Sequence, residues 1–241
     1  IRRQRQMCIR DRYISDSNTT NLYNKANLHI NKLFDWFCAN RLSLNATKTK
    51  YIVIRPKHMR EDLSKFVIHI RNTPLDRIGN NCTETSTKFL GIIIDENLTW
   101  KYHVKHVNSK VSRALFLIKQ VKHVLPSESL RTLYYSLIHP HLSDGIVAWG
   151  NADKNIIKQS VMIQKRAIRV INNAPYNGHT EPLFKYSAIL NLCDIFEHQC
   201  IIFMYDYVQN HLPKSFNSMF MANSDLPNAR LTRQSNMINI P

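Results

Sequence analysis

The sequence predicts an α+β layer followed by a mostly helical region. The first observation is a stretch from Leu33 to Ile54, LFDWFCANRLSLNATKTKYIVI, in which an amphipathic helix end, a polar turn and a β-prone run follow one another. The second is a pair of further β-rich segments between Phe66 and Ile94. The third is a change of pattern after Trp100, where apolar residues recur at three- and four-residue steps and strand signals cease.

Each element has its own warrant. Leu22, Ala26, Ile30, Leu33 and Phe37 form one apolar helix face, and Asn40 with the Ser43 to Thr49 stretch should stop that helix near Arg41. Tyr51, Ile52, Val53 and Ile54 are a continuous β-prone run ended by Pro56, as expected of a buried strand. Met59 to Lys65 is charged and reads as a loop. Phe66 to Arg71 and Leu75 to Ile78 flank Asn72-Thr73-Pro74 and suggest a hairpin, with Thr87 to Ile94 as the next β-rich run. Beyond Trp100, Val104, Val107, Val111, Leu115, Ile118 and Leu125 share a helix face, and Pro126-Ser127 separates it from a helix over Glu128 to His139. Pro140 interrupts before Ile146 to Trp149. Helices then follow over Lys154 to Asn172, Glu181 to Leu190 and Asp194 to Gln209, and the Asn/Ser-rich sequence past Pro213 predicts a loose tail.

Several of these segments resemble the reverse transcriptase of a non-LTR (LINE-type, jockey-like) retrotransposon. The family's DWF-x-x-N-x-L-x-L-N-x-x-K-T pattern is filled at every fixed position from Asp35 to Thr49. Lys88-Phe89-Leu90-Gly91-Ile92 with Asp95 is similar to its primer-grip hairpin. The likeness continues through Leu98-Thr99-Trp100, Leu133-Tyr134, Ala148-Trp149-Gly150 and Gln164-Lys165-Arg166-Ala167. It implies a partial polymerase palm over 13–98, a helical thumb-like region over 99–211 and a truncated tail over 212–241. The parent activity it implies is RNA-directed DNA synthesis with magnesium ions, on an RNA template and a DNA primer.

Residues 2–12 stand apart. The RRQRQMCIRD run resembles one reading frame of a sequencing-library transposase adapter, and a natural basic arm is the alternative. The family's YADD motif would fall inside or beside this run, and the nearest sequence, Tyr13-Ile14-Ser15-Asp16, offers one carboxylate. Nucleotidyl transfer by two metal ions takes several. The expectation is a reverse transcriptase fragment that is inactive alone and holds no magnesium. The alternatives are a non-catalytic basic nucleic-acid-binding module, or a decayed transposon transcript without function.

Composition points the same way. The formal charge is +16; five arginines against one aspartate give +4 in the first twelve residues, which leaves +12 elsewhere. Such an excess suits a polyanionic partner. Cys38, Cys82, Cys193 and Cys200 lack zinc spacing or a dense disulfide pattern, so free thiols in an intracellular compartment are expected. His139-Pro140-His141 lacks further ligands at metal-binding spacing, and no apolar run is long enough for a membrane span. No metal, membrane or small-molecule partner is therefore expected.

Three candidate sites follow. By the resemblance, Lys48 would stand near the leaving pyrophosphate as a charge stabiliser or general acid, although solvated lysines in a turn fit the residues alone. Phe89, Leu90 and Gly91 would form the primer grip, glycine allowing close approach of a sugar-phosphate strand, where a strand kink is the plainer account. Lys154, Lys158, Lys165 and Arg169 fall in one narrow arc of their helix and could track phosphates. A solvated cationic face has the same periodicity.

Overall fold

The computed structural model describes residues 13–59, 63, 66–80, 82–216, 220–222 and 238–239. The adapter-like run and most of the expected tail lie outside the described residues. The chain divides into two compact units, Ile1–His103 and Val104–Pro241.

In the first unit, helix α1 spans Thr19–Ala39 and is capped by Asn18, whose side chain accepts from the N–H groups of Thr20 and Asn21. Its predicted apolar face holds: Ala26 and Leu33 are buried, and Leu22 and Ile30 pack on a core of Leu63, Phe66, Ile68, Ile70 and Leu75. The helix ends at Asn40, and Arg41 then adopts a left-handed φ of 54°. A 3-10 turn, Ala46–Lys48, leads into strand β1 (Lys50–Ile52), which pairs in parallel with β4 (Asp76–Ile78).

Two strand expectations need correction. The run from Tyr51 to Ile54 is not a buried strand: pairing stops at Ile52, no residue of the run is buried, and Ile54 is 45% exposed. With a single partner strand and one covered face, β1 lacks the two-sided burial its composition suggested. The following hairpin is tighter than expected. Strands β2 (His69–Ile70) and β3 (Thr73–Pro74) meet across Arg71-Asn72, with Ile70 opposite Thr73, so Pro74 lies in a strand. Helix α1 supplies partners for β2: Asn27 Oδ1 accepts the His69 N–H at 3.0 Å and Asn31 Oδ1 the Arg71 N–H at 3.3 Å. Amide side chains on α1 thereby satisfy backbone donors that an edge strand would leave to solvent.

Strands β5 (Ser86–Phe89) and β6 (Ile92–Asp95) form an antiparallel hairpin. Its end is locked by carboxylates. Asp95 Oδ1 accepts the N–H groups of Thr99 and Trp100 at 3.1 and 3.2 Å, which shapes the turn into helix α2 (Lys101–Val121). Glu96, whose side chain is 2% exposed, pairs with Arg55 Nε at 2.7 Å and accepts the Asn80 N–H at 2.8 Å. Gly79 makes room for that carboxylate, because a Cβ there would come within 2.3 Å of Glu96 Oε2.

The second unit is helical as predicted. It continues α2, then α3 (Ser127–Leu137), α4 (His139–Ser143), α5 (Ile146–Trp149), α6 (Lys154–Ile171), α7 (Glu181–Tyr186) and α8 (Leu192–Val208). Val104, Val107, Val111 and Ile118 are buried as their spacing requires. Tyr134, Ile138, Leu142, Trp149 and Ile168 are fully enclosed in the core. Short strands β7 (Met221–Ala222) and β8 (Ile238–Asn239) pair antiparallel. No helix among the described residues is long and apolar enough to cross a membrane.

The Glu96 carboxylate ties three loops of the first unit, and removing it takes a buried acceptor from the part-buried Arg55 and Asn80 donors. Glu96→Ala should cost about 3 kcal/mol, the low end for breaking a buried pair since Arg55 keeps some solvent, and Gly79→Ala should destabilise in the same direction. Amide hydrogen exchange of β5 and β6 in the full chain reads this out; wild-type protection in both variants would refute it.

Candidate nucleic-acid interface

Helix α6 carries the second unit's most strongly two-sided sequence. Asp153 caps it by accepting the Asn155 N–H at 2.8 Å. Its inner face is built from Ser160, Gln164, Ala167, Ile168 and Ile171, all buried. Two of these are polar, and each finds a specific partner. Ser160 Oγ donates to Asn108 Oδ1 on α2 at 2.7 Å. Gln164 Nε2 donates to the Tyr134 hydroxyl at 2.8 Å and to the Leu190 carbonyl at 3.0 Å. Buried polar pairs of this kind fix register, since a slip or rotation would strand their donors in an apolar core.

The tetrapeptide Gln164-Lys165-Arg166-Ala167 divides accordingly. Gln164 and Ala167 face inward, Arg166 faces solvent and Lys165 is half-buried. In the other helical segments that carry the resemblance, Tyr134 and Trp149 are core residues, Leu133 and Gly150 are half-buried and Ala148 is exposed. Trp149 is enclosed, its Nε1–H donating to the Asp144 carbonyl at 3.0 Å. Gly150 lets α8 approach closely, since a Cβ there would lie 2.3 Å from the Phe196 ring.

With its inner face fixed, α6 turns its remaining surface to a groove of about 450 Å³ against the C-terminal half of α2 and the loop after α6. Lys119 of α2, Lys122 just past the end of α2, and Arg166 and Arg169 of α6 line it. A neighbouring groove of about 480 Å³, lined by Lys158, Met162 and Arg166, shares Ile163 and Arg166 with the first. No Asp or Glu lines either groove, and none of the five cations is ion-paired among the described residues.

The structure thus brings Lys158 and Arg169 of the predicted arc to the grooves. Lys154 is exposed at the start of α6, and Lys154 and Lys165 line neither groove. Arg169 is partly occupied, its Nε–H donating to the Gly178 carbonyl at 2.9 Å. Sequence reasoning missed Arg166, Phe116 and Tyr176. At about 100° per residue the four chosen cations span about 60° and Arg166 lies about 60° past that edge, so only an arc twice as wide includes it. Nothing local marks the two aromatic residues as exposed.

The other candidates belong to the first unit. Lys48 is exposed at the end of the 3-10 turn, where Asn45 Oδ1 accepts its backbone N–H at 3.3 Å. Phe89, Leu90 and Gly91 form the β5–β6 tip. Both turn residues have positive φ, 46° at Leu90 and 96° at Gly91, as a two-residue hairpin turn of this hand demands. Gly91 is therefore accounted for by the turn, while Leu90 is held in a conformation that branched side chains avoid and is 69% exposed. Among the described residues no three His, Cys, Asp or Glu side chains gather as a metal site would require, and Cys38, Cys82, Cys193 and Cys200 are free thiols.

Two curated proteins of Drosophila melanogaster are similar to this chain. One is a probable RNA-directed DNA polymerase from transposon BS, 27% identical over 95 residues, or 38% of this chain. The other is the RNA-directed DNA polymerase from mobile element jockey, 25% identical over 153 residues, or 61% of this chain. These similarities support a relationship with the non-LTR reverse transcriptases. The matched regions are 10% and 16% of those proteins' own lengths. No family model and no solved structure matches the chain.

Burial gives the anchor of α6 a pH signature. Enclosure in the core pushes the Tyr134 hydroxyl up to about 12, while the Gln164 hydrogen bond pulls it part of the way down. A tyrosine raised from about 10 adds stability that is whole below pH 10 and is lost as pH climbs through 12, about 2–3 kcal/mol in all. Urea unfolding followed by tryptophan emission, with Trp36 and Trp100 replaced by Phe in both backgrounds so that Trp149 reports alone, should show this loss with Tyr134 present and a flatter profile in Tyr134→Phe. Identical alkaline profiles for the two would contradict the assignment.

Proposed function

We propose that the helical unit is a thumb-like nucleic-acid-binding module of a reverse transcriptase, gripping phosphates through the cations of α2 and α6. The observation that carries this reading is the groove pair with five cations on its walls and no carboxylate. Phosphate neutralisation by Lys and Arg releases condensed counterions, so such a surface binds without regard to sequence. The similarity to two transposon RNA-directed DNA polymerases supports nucleic acid as the partner, and on this reading it is an RNA template with a DNA primer.

On this reading the first unit is a partial palm. Lys48 would face the departing pyrophosphate and the Phe89–Leu90–Gly91 tip would grip the primer only when a complete polymerase site is present. The 241-residue chain by itself binds and does not polymerise. Two-metal nucleotidyl transfer takes several carboxylates in one place. Asp95 and Glu96 are instead spent on backbone donors and Arg55.

Binding of the full chain to a labelled primer–template across a salt series tests the proposal. With most or all of the five cations engaged, log K should fall against log salt with a slope of about −3 to −4.5. Lys119→Gln, Lys158→Gln and Arg166→Gln should each flatten the slope by about 1. The same mixtures given magnesium and deoxynucleotides should show no primer extension. A salt-insensitive complex would sink the phosphate grip, and templated extension would sink the non-catalytic reading.

A further inference from the structure

The groove between α2 and α6 holds more than charge. Phe116 on α2 and Tyr176 in the loop after α6 both line it, and they are 60% and 74% exposed. Leu115 and Val170 supply apolar wall between them and the cations Lys119, Lys122, Arg166 and Arg169. Large aromatic side chains left this open cost solvation and are not explained by the core of the unit. The phosphate grip has no use for them, because a duplex offers its backbone outward and keeps its base faces stacked.

Unpaired bases are different. Each has a π-face that can lie on an aromatic ring whatever its identity, while a basic rim follows the backbone. A groove of about 450 Å³ is of ligand-pocket size, and it adjoins, at Ile163 and Arg166, the second groove, which Lys158 lines. Rings, apolar wall, cations and the absence of lining carboxylates together describe a channel for an anionic chain that carries flat apolar faces.

We infer that the α2–α6 groove binds single-stranded nucleic acid, with unpaired bases stacked on Phe116 and Tyr176 and phosphates on Lys119, Lys122, Arg166 and Lys158. The inference deepens the proposed function and rests on it: the cations are shared, and the aromatic residues add a preference for unpaired over paired strands. An acidic peptide would meet the same cations, but its side chains bring no flat faces for the rings.

The test is fluorescence anisotropy of the full chain, repeated across a salt series, with four probes: a short single-stranded RNA, the DNA of the same sequence, an abasic DNA of equal length, and a blunt duplex. The wild type should prefer the base-bearing single strands to the abasic one by about tenfold or more, which is the scale of one or two stacked bases. Phe116→Ala with Tyr176→Ala should erase that preference, leaving the salt slope and duplex affinity within twofold. Tyr176→Phe, which keeps the ring, should retain it, and whichever of RNA and DNA binds more tightly identifies the natural strand. Equal binding of abasic and base-bearing strands with a steep salt slope would overturn stacking and leave the phosphate grip standing. Binding of none of the four probes, with capture of a poly-glutamate peptide instead, would overturn both.

Discussion

The second unit depends on one buried hydrogen bond, from Gln164 Nε2 to the Tyr134 hydroxyl. Both residues are fully enclosed, and an amide facing an apolar core without partners would cost several kcal/mol. That penalty makes the rotation of α6 about its own axis close to all-or-none. Four residues earlier, Ser160 repeats the device with Asn108 of α2. Once these two polar contacts are made, Lys158, Arg166 and Arg169 can only face outward along the groove. The cations are thus placed by uncharged side chains on the opposite side of the helix.

Carboxylates in the first unit serve architecture. Asp95 holds the turn that starts α2, and Glu96 joins Arg55 to the loop at Gly79 and Asn80. Asp16 is committed in the same way: its side-chain bond with Lys25, above all, holds its carboxyl below the ordinary range. With acidic groups spent locally, the basic excess in the sequence remains available to an external polyanion.

The helical half was legible because its periodicity is strong and its breaks are marked by Pro126 and Pro175, whereas Pro140, expected to interrupt, lies in the first turn of α4. Helix α6 was expected over Lys154 to Asn172 and ends at Ile171. The β layer was legible only in part. Residues Tyr51 to Ile54 have the composition of a buried strand, yet pairing depends on a partner far along the chain, and β4 offers only three residues of register. The turn at Arg71-Asn72 has no glycine to mark it, and Pro74 is of a residue type favoured in turns, although a proline is tolerated in an edge strand. At the candidate interface, spacing located Lys158 and Arg169. It could not show that Arg169 is tied to Gly178, nor that Phe116 and Tyr176 stand exposed beside the cations, since both facts belong to tertiary packing.

The central claim is that the groove of α2 and α6 is where nucleic acid lies. Photo-crosslinking of the full chain to a primer–template with a photoreactive single-stranded extension, followed by peptide mapping, tests it most directly. The account predicts adducts within residues 112–122 and 155–176. Adducts confined to the first unit, at Lys48 or the Phe89–Leu90–Gly91 tip, with none on α2 or α6, would contradict it.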